Sequence, residues 1–130
     1  MASRKQQTMP GLERTKGVLR EVYAERERQH VKWGAQNCPS VPPLPALAAC
    51  ATLDLPSEER AKHNCKESFR AGRGTWGHIL VEEVSEAVEA CARAAMGDPD
   101  VSIADARNEL VQVAATAVAW IEYLDRKAAQ

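Results

Sequence analysis

Four glutamates stand where their type and spacing could do chemistry. Glu82, Glu83 and Glu86 form an EExxE group, and Glu109 precedes a stretch, Val111 to Ile121, without a charged residue. Both segments read as helices, so the side chains can be placed by rotating about 100° per residue. With Glu83 at zero, Ile79, Ala90, Ala87, Leu80, Cys91 and Val84 fall between about −40° and +100°. Glu83 therefore lies inside the apolar arc and Glu86 at its edge, near −60°, while Glu82 and Glu89 lie further round. On the next helix, Asp105, Gln112, Thr116 and Tyr123 form a polar stripe within about 60° of Glu109, with Ala106, Leu110, Val113, Ala117 and Leu124 beside it. Burying an isolated carboxylate costs several kcal/mol, and carboxylates on facing helices repel one another. Either they take up protons or a cation offsets them. Hard oxygen ligands in this number favour Mg²⁺ or Mn²⁺ over zinc, and Mg²⁺ commonly binds phosphates as well. An acidic run on a helix is more often a solvated face. A further carboxylate heading a helix that is otherwise uncharged for three turns weighs against that plainer reading.

The elements that must position these residues are all helical. A first helix is predicted from about Leu12 to Trp33, with Val18, Leu19, Val22 and Tyr23 at helical spacing, ended by Gly34. Residues 35–56 hold Pro39, Pro42, Pro43, Pro45 and Pro56. This density reads as a Pro-rich loop, with room for one short turn over Ala46–Ala51. Ser57 caps a helix from Glu58 to about Ala71, with Ala61, Cys65 and Phe69 as its apolar stripe. Thr75 caps the next, Trp76 to Met96, closed by Gly97-Asp98-Pro99. Ser102 with Asp105 forms a capping-box pattern for the last, which runs to about Lys127. No strand-like alternation occurs. The expectation is an all-α antiparallel bundle of about four helices, one domain over 12–130, preceded by a disordered segment 1–11.

Composition narrows the function classes. The 130 residues include 17 basic and 18 acidic ones, for a net charge of −1, so neither nucleic acid nor a membrane surface is the expected partner. No apolar run reaches the roughly 18 residues of a membrane span. The polar start lacks an apolar signal core, which points to the cytoplasm, or the host cytoplasm for a phage-encoded chain. Cys38, Cys50, Cys65 and Cys91 show no CxxC or zinc-finger spacing and read as scattered thiols. An alanine-rich core with one Phe, two Tyr and three Trp suits close helix packing and favours completion by a partner subunit.

The residues as a set resemble the MazG-like branch of the all-α nucleoside triphosphate pyrophosphohydrolases, in phage and actinobacterial forms. That family carries EExxE on one helix and ExxD on the next; here these stand as Glu82-Glu83-Val84-Ser85-Glu86 and Glu109-Leu110-Val111-Gln112. The segments Glu27–Asn37, Trp76–Glu83 and Asn108–Arg126 also resemble it, so the similarity runs from about Val18 to Arg126. The resemblance implies metal, Mg²⁺ or Mn²⁺, on Glu83, Glu86 and Glu109. Glu82 is on the metal or just behind it, and Gln112 offers an amide carbonyl where the family has Asp. It implies water attack between the α- and β-phosphates of a nucleoside triphosphate, with Glu82 or Glu86 orienting or deprotonating the water. The products are a monophosphate and pyrophosphate. The second half of the first helix becomes a wall of the site. There Trp33 could stack on a base, Gln29, Gln36 and Asn37 could read a base edge, and Lys32 could meet phosphate, as could Arg126 at the other end of the chain. Plainer readings stay open: Trp33 as a packing anchor, and the polar residues as solvated surface. The resemblance also implies a homodimer or homotetramer. A purine deoxynucleotide such as dGTP or dATP is the expected substrate.

Two other classes compete. Gln112 in place of an acid leaves open a helical module that binds nucleotide or protein without turnover. A ferritin-like di-iron oxidase would need an ExxH motif on each of two helices, and the chain has only one, Glu27-Arg28-Gln29-His30.

Overall fold

Each helix begins and ends for a local reason. In the computed structural model, which describes residues 12–130, the elements are α1 (Leu12–Trp33), α2 (Ala46–Thr52), α3 (Glu58–Arg70), α4 (Trp76–Ala95) and α5 (Ile103–Ala128). No strand occurs among the described residues, so the architecture is an all-α bundle. The predicted disordered segment, 1–11, lies outside the described residues. Among these residues no helix is long and apolar enough to cross a membrane.

The caps follow the predicted pattern. Ser57 Oγ accepts the Arg60 N–H at 3.1 Å at the start of α3. Thr75 Oγ1 accepts the His78 N–H, and His78 Nδ1 accepts the Thr75 N–H, which closes a box in which histidine takes the usual acid's place. The Asp105 carboxylate accepts the Ser102 N–H at 2.9 Å, and Ser102 Oγ accepts the Asp105 N–H at 3.0 Å. This occupies Asp105 as a cap of α5. Gly97, at φ 78°, ends α4 in the left-handed region that glycine reaches without steric cost.

The prolines hide one helix. Residues 35–56 are not a continuous loop, because Ala46–Thr52 completes α2. Pro45 stands just before it, where its missing N–H costs nothing. The short element is held from outside: Ala49 and Cys50 are fully buried, and α2 packs on α4.

The chain divides into two compact units. One comprises 12–37 and 118–130, the other 38–117. In the first, Val18 of α1 and Val118 of α5 are buried, and Thr15 Oγ1 donates to the Glu122 carboxylate. In the second, α4 is the central helix and packs against both α2 and α3. Its core residues are small (Ala49, Cys50, Ala61, Cys65, Ser85, Ala87, Ala92 and Ala106), which lets helix backbones approach closely. Ser85, fully buried inside EExxE, donates its hydroxyl to the Pro56 carbonyl at 2.9 Å. The Glu89 carboxylate accepts the backbone N–H of Glu58 at the start of α3. These two contacts fix the rotation of α4, and hence where Glu83 and Glu86 point. Ser85→Ala removes this bond to the half-buried Pro56 carbonyl and is expected to cost about 1 kcal/mol. Urea unfolding measures that loss.

Candidate metal centre

α4 carries Glu83 and Glu86 three residues apart, so both project from neighbouring positions on one side of the helix. Glu109 projects from α5, one turn beyond Asp105. One carboxylate oxygen from each of Glu83, Glu86 and Glu109 lies within 4.8 Å of the others, and all three residues are half-buried. Glu83 Oε2 and Glu109 Oε2 are buried without a hydrogen-bond partner.

The electrostatics follow from this crowding. Burial first, and then the charges of Glu83, Glu109, Glu58 and Glu82, push the Glu86 carboxyl up to about 7. Glu83 is raised as well, by burial and then by Glu82 and Glu109, with Lys62 pulling the other way. Lys62 of α3 offers partial compensation. Its Nζ lies 4.0 Å from Glu86 and 3.9 Å from Glu58, but the side chain is 60% exposed, so solvent screens much of its charge.

A divalent cation fits this donor set. Oxygens on an octahedral Mg²⁺ at about 2.1 Å stand about 3.0 Å apart when adjacent and about 4.2 Å when opposite, so three oxygens within 4.8 Å of one another can share an ion once their side chains draw in around it. The two orphaned oxygens would gain the partner that buried polar atoms ordinarily have. All donors are carboxylate oxygens, the chemistry that suits Mg²⁺ or Mn²⁺.

An open cleft of about 310 Å³ adjoins the trio, with Glu58, Glu86, Arg93, Asp100, Asp105 and Glu109 among its lining residues. Arg93 donates to the Asp98 carboxylate at 2.8 Å, so its charge is largely taken. A polyphosphate entering so acidic a cleft would be repelled unless cations came with it.

The remaining predicted residues divide by location. Glu82 is half-buried and faces Cys65 of α3; burial together with the hydrogen bond to Glu82 raises that thiol to about 11. Gln112, one turn beyond Glu109, is exposed, and its backbone carbonyl accepts the Thr116 hydroxyl at 2.9 Å. Gln29, Lys32, Trp33, Gln36, Asn37 and Arg126 belong to the other compact unit. Within it, Lys32 Nζ stands 4.7 Å over the Trp33 ring, and Trp33 is 53% exposed. Gln29 bonds Arg26 and Glu25, and Gln36, Asn37 and Arg126 are exposed.

Sequence reasoning did not single out Lys62, Glu58, Arg93 or Asp100. Arg93 follows Glu86 by seven residues and Ala90 by three, a same-face spacing that could have flagged it. Lys62 and Glu58 come from α3, and only tertiary packing brings them to the glutamates. No protein-family model, curated protein or solved structure matches the chain.

Proposed function

We propose that the chain is a metal-dependent nucleoside triphosphate pyrophosphohydrolase that releases a nucleoside monophosphate and pyrophosphate. One observation carries the reading: two buried carboxylate oxygens without partners, on Glu83 and Glu109, converging with Glu86 from α4 and α5. Carboxylates held this close in a partly dry setting either hold protons or share a cation, and a divalent ion would give the partnerless oxygens a ligand. The resemblance of EExxE and Glu109 to the MazG-like enzymes adds the substrate class.

In this reading Glu83 and Glu109 turn their orphaned oxygens to Mg²⁺ or Mn²⁺, and Glu86 completes the set. Bound there, the ion offsets phosphate charge and acidifies water. A carboxylate beside the ion, Glu82 or Glu86, orients the attacking water or takes its proton. Glu82 lies behind the ligands, held to Cys65, and adds negative potential. With Gln112 turned to solvent, the charge that the family carries at that position is missing, so the site relies on three carboxylates. Exposed Leu19, Val22 and Tyr23 on α1, and Leu110 and Val111 on α5, support assembly into a homodimer or homotetramer.

Incubating the purified chain with a panel of nucleoside triphosphates and Mg²⁺ or Mn²⁺ tests the proposal, with monophosphate and pyrophosphate both quantified. Equal amounts of the two products are expected. Release of orthophosphate instead would refute cleavage between the α- and β-phosphates. Tight binding of nucleotide with no product from any member of the panel would identify a binding module.

A further inference from the structure

We infer that Lys62 is a phosphate-binding residue of the centre: when a divalent ion occupies the glutamates, its ammonium leaves Glu86 and holds a phosphate oxygen of the nucleoside triphosphate. The inference rests on the hydrolase reading above and adds a substrate contact to it.

The placement of Lys62 starts with its helix. On α3, Ala61 and Cys65 are buried, and the helix packs on α4. Lys62 stands about 60° round from Cys65, at the rim of that packed face. The contact between the Glu89 carboxylate and the Glu58 N–H pins the start of α3 to α4, one turn before Lys62. A lysine stem can lie along such a seam while its charge stays in water, and the side chain is 60% exposed.

The ammonium is drawn to the centre but not bonded into it. It stands 3.9 Å from Glu58 and 4.0 Å from Glu86, and its charge also reaches Glu83. Both distances exceed a hydrogen bond. Arg93, which lines the acidic cleft, is different, since it donates to Asp98 at 2.8 Å. Glu58 and Glu86 line the same cleft as Glu109, so Lys62 brings a loosely held cation to its edge. A polyphosphate there faces Glu58, Glu86, Asp100, Asp105 and Glu109 and needs positive charge to approach.

An ion on the glutamates changes what Lys62 meets. It offsets the carboxylate charge that attracts the ammonium, and it repels the ammonium as a like charge. A triphosphate arriving at the ion supplies a new anion. Oxygens on one ion stand about 3–4 Å apart, so a phosphate oxygen beside Glu86 falls within reach of a flexible stem whose Nζ is already 4.0 Å from that carboxylate. No proton moves in this contact. The ammonium acts as a point charge with three donors.

The test compares wild type, Lys62→Met, Lys62→Arg and Lys66→Met as full chains, with Mn²⁺ and a panel of nucleoside triphosphates. Methionine keeps an unbranched stem and removes the charge. Lys62→Met is expected to lower kcat/KM by roughly 10- to 100-fold, the scale of one charge-assisted bond. It should also weaken binding of the non-hydrolysable α,β-imido nucleotide, measured by calorimetry. Its Mn²⁺ affinity, by electron paramagnetic resonance, should equal or exceed that of wild type, because a cation competing for Glu86 is gone. Lys62→Arg should keep most of the turnover, and Lys66→Met, exposed one turn further along α3, should match wild type. Unchanged kcat/KM in Lys62→Met, or a loss that follows weakened Mn²⁺ binding, would overturn the phosphate contact and leave the hydrolase standing. Absence of turnover by wild type with every nucleotide would overturn both.

Discussion

Glu83→Gln and Glu109→Gln are each expected to abolish turnover and weaken Mn²⁺ binding while leaving the helical fold intact. Glutamine keeps the shape of each side chain and removes the charge that holds the ion. Loss of one anionic ligand removes several kcal/mol of charge stabilisation. At 1.36 kcal/mol per factor of ten, that is at least about 10³-fold in rate. The same substitutions should act on stability with the opposite sign when metal is absent. Glu83 and Glu109 each bury an oxygen that nothing solvates, and each raises the cost of ionising its neighbours. In EDTA at pH 8, Glu83→Gln should therefore melt higher than wild type. In saturating Mg²⁺ the order should reverse. Circular dichroism melts of both proteins in both buffers measure this, and a purely structural glutamate would give no reversal.

The second large effect is a dependence of stability on pH that metal inverts. Glu86 is raised from its ordinary 4.5 to about 7 in the folded chain. Between these values the native state holds a proton that the unfolded state has released. Native-state proton uptake makes stability fall as pH rises. The contribution is full below about 4.5, declines through 7 and is gone above it. At 1.36 kcal/mol per pH unit, its ceiling is about 3 kcal/mol. The rise of Glu83 has the same sign. Mg²⁺ competes with these protons, so its stabilisation should be near zero at pH 5 and appear as the carboxyls ionise. At 100 times Kd it reaches about 2.7 kcal/mol. Thermal unfolding from pH 5 to 8.5, in EDTA and in Mg²⁺, should give a falling curve in the first and a flat or rising one in the second. Metal-free protein that gained stability with pH over this range would contradict the crowded, partly buried carboxylates.

Much of the scaffold was legible because its signals are local. Gly34, Ser57, Thr75, Gly97 and Ser102 are punctuation that acts on the nearest turn, and α1, α3, α4 and α5 run close to the predicted limits. The α2 helix was not predicted as such, since four prolines within 39–45 dominate the local reading. Its stability comes from burial of Ala49 and Cys50 against α4, a tertiary fact. In the site the same line divides what could be read. Helical rotation sufficed to put Glu83, Glu86 and Glu109 on core-facing edges. It could not bring up Lys62 and Glu58, which arrive on another helix. Nor could it show that Gln112, at −60° from Glu109 by rotation, is exposed, because the neighbours that bury or expose a position are not written in its own helix. The histidine in the α4 capping box was similarly hidden, since His78 substitutes for the expected acid.

Whether the three converging carboxylates bind a divalent ion is tested most directly by anomalous diffraction from crystals of the full chain grown in millimolar Mn²⁺. A manganese peak is expected within ligand distance of Glu83, Glu86 and Glu109, and it should be lost in Glu83→Gln. Carboxylates spread into solvent with no manganese between them would contradict the metal centre and the hydrolysis built on it.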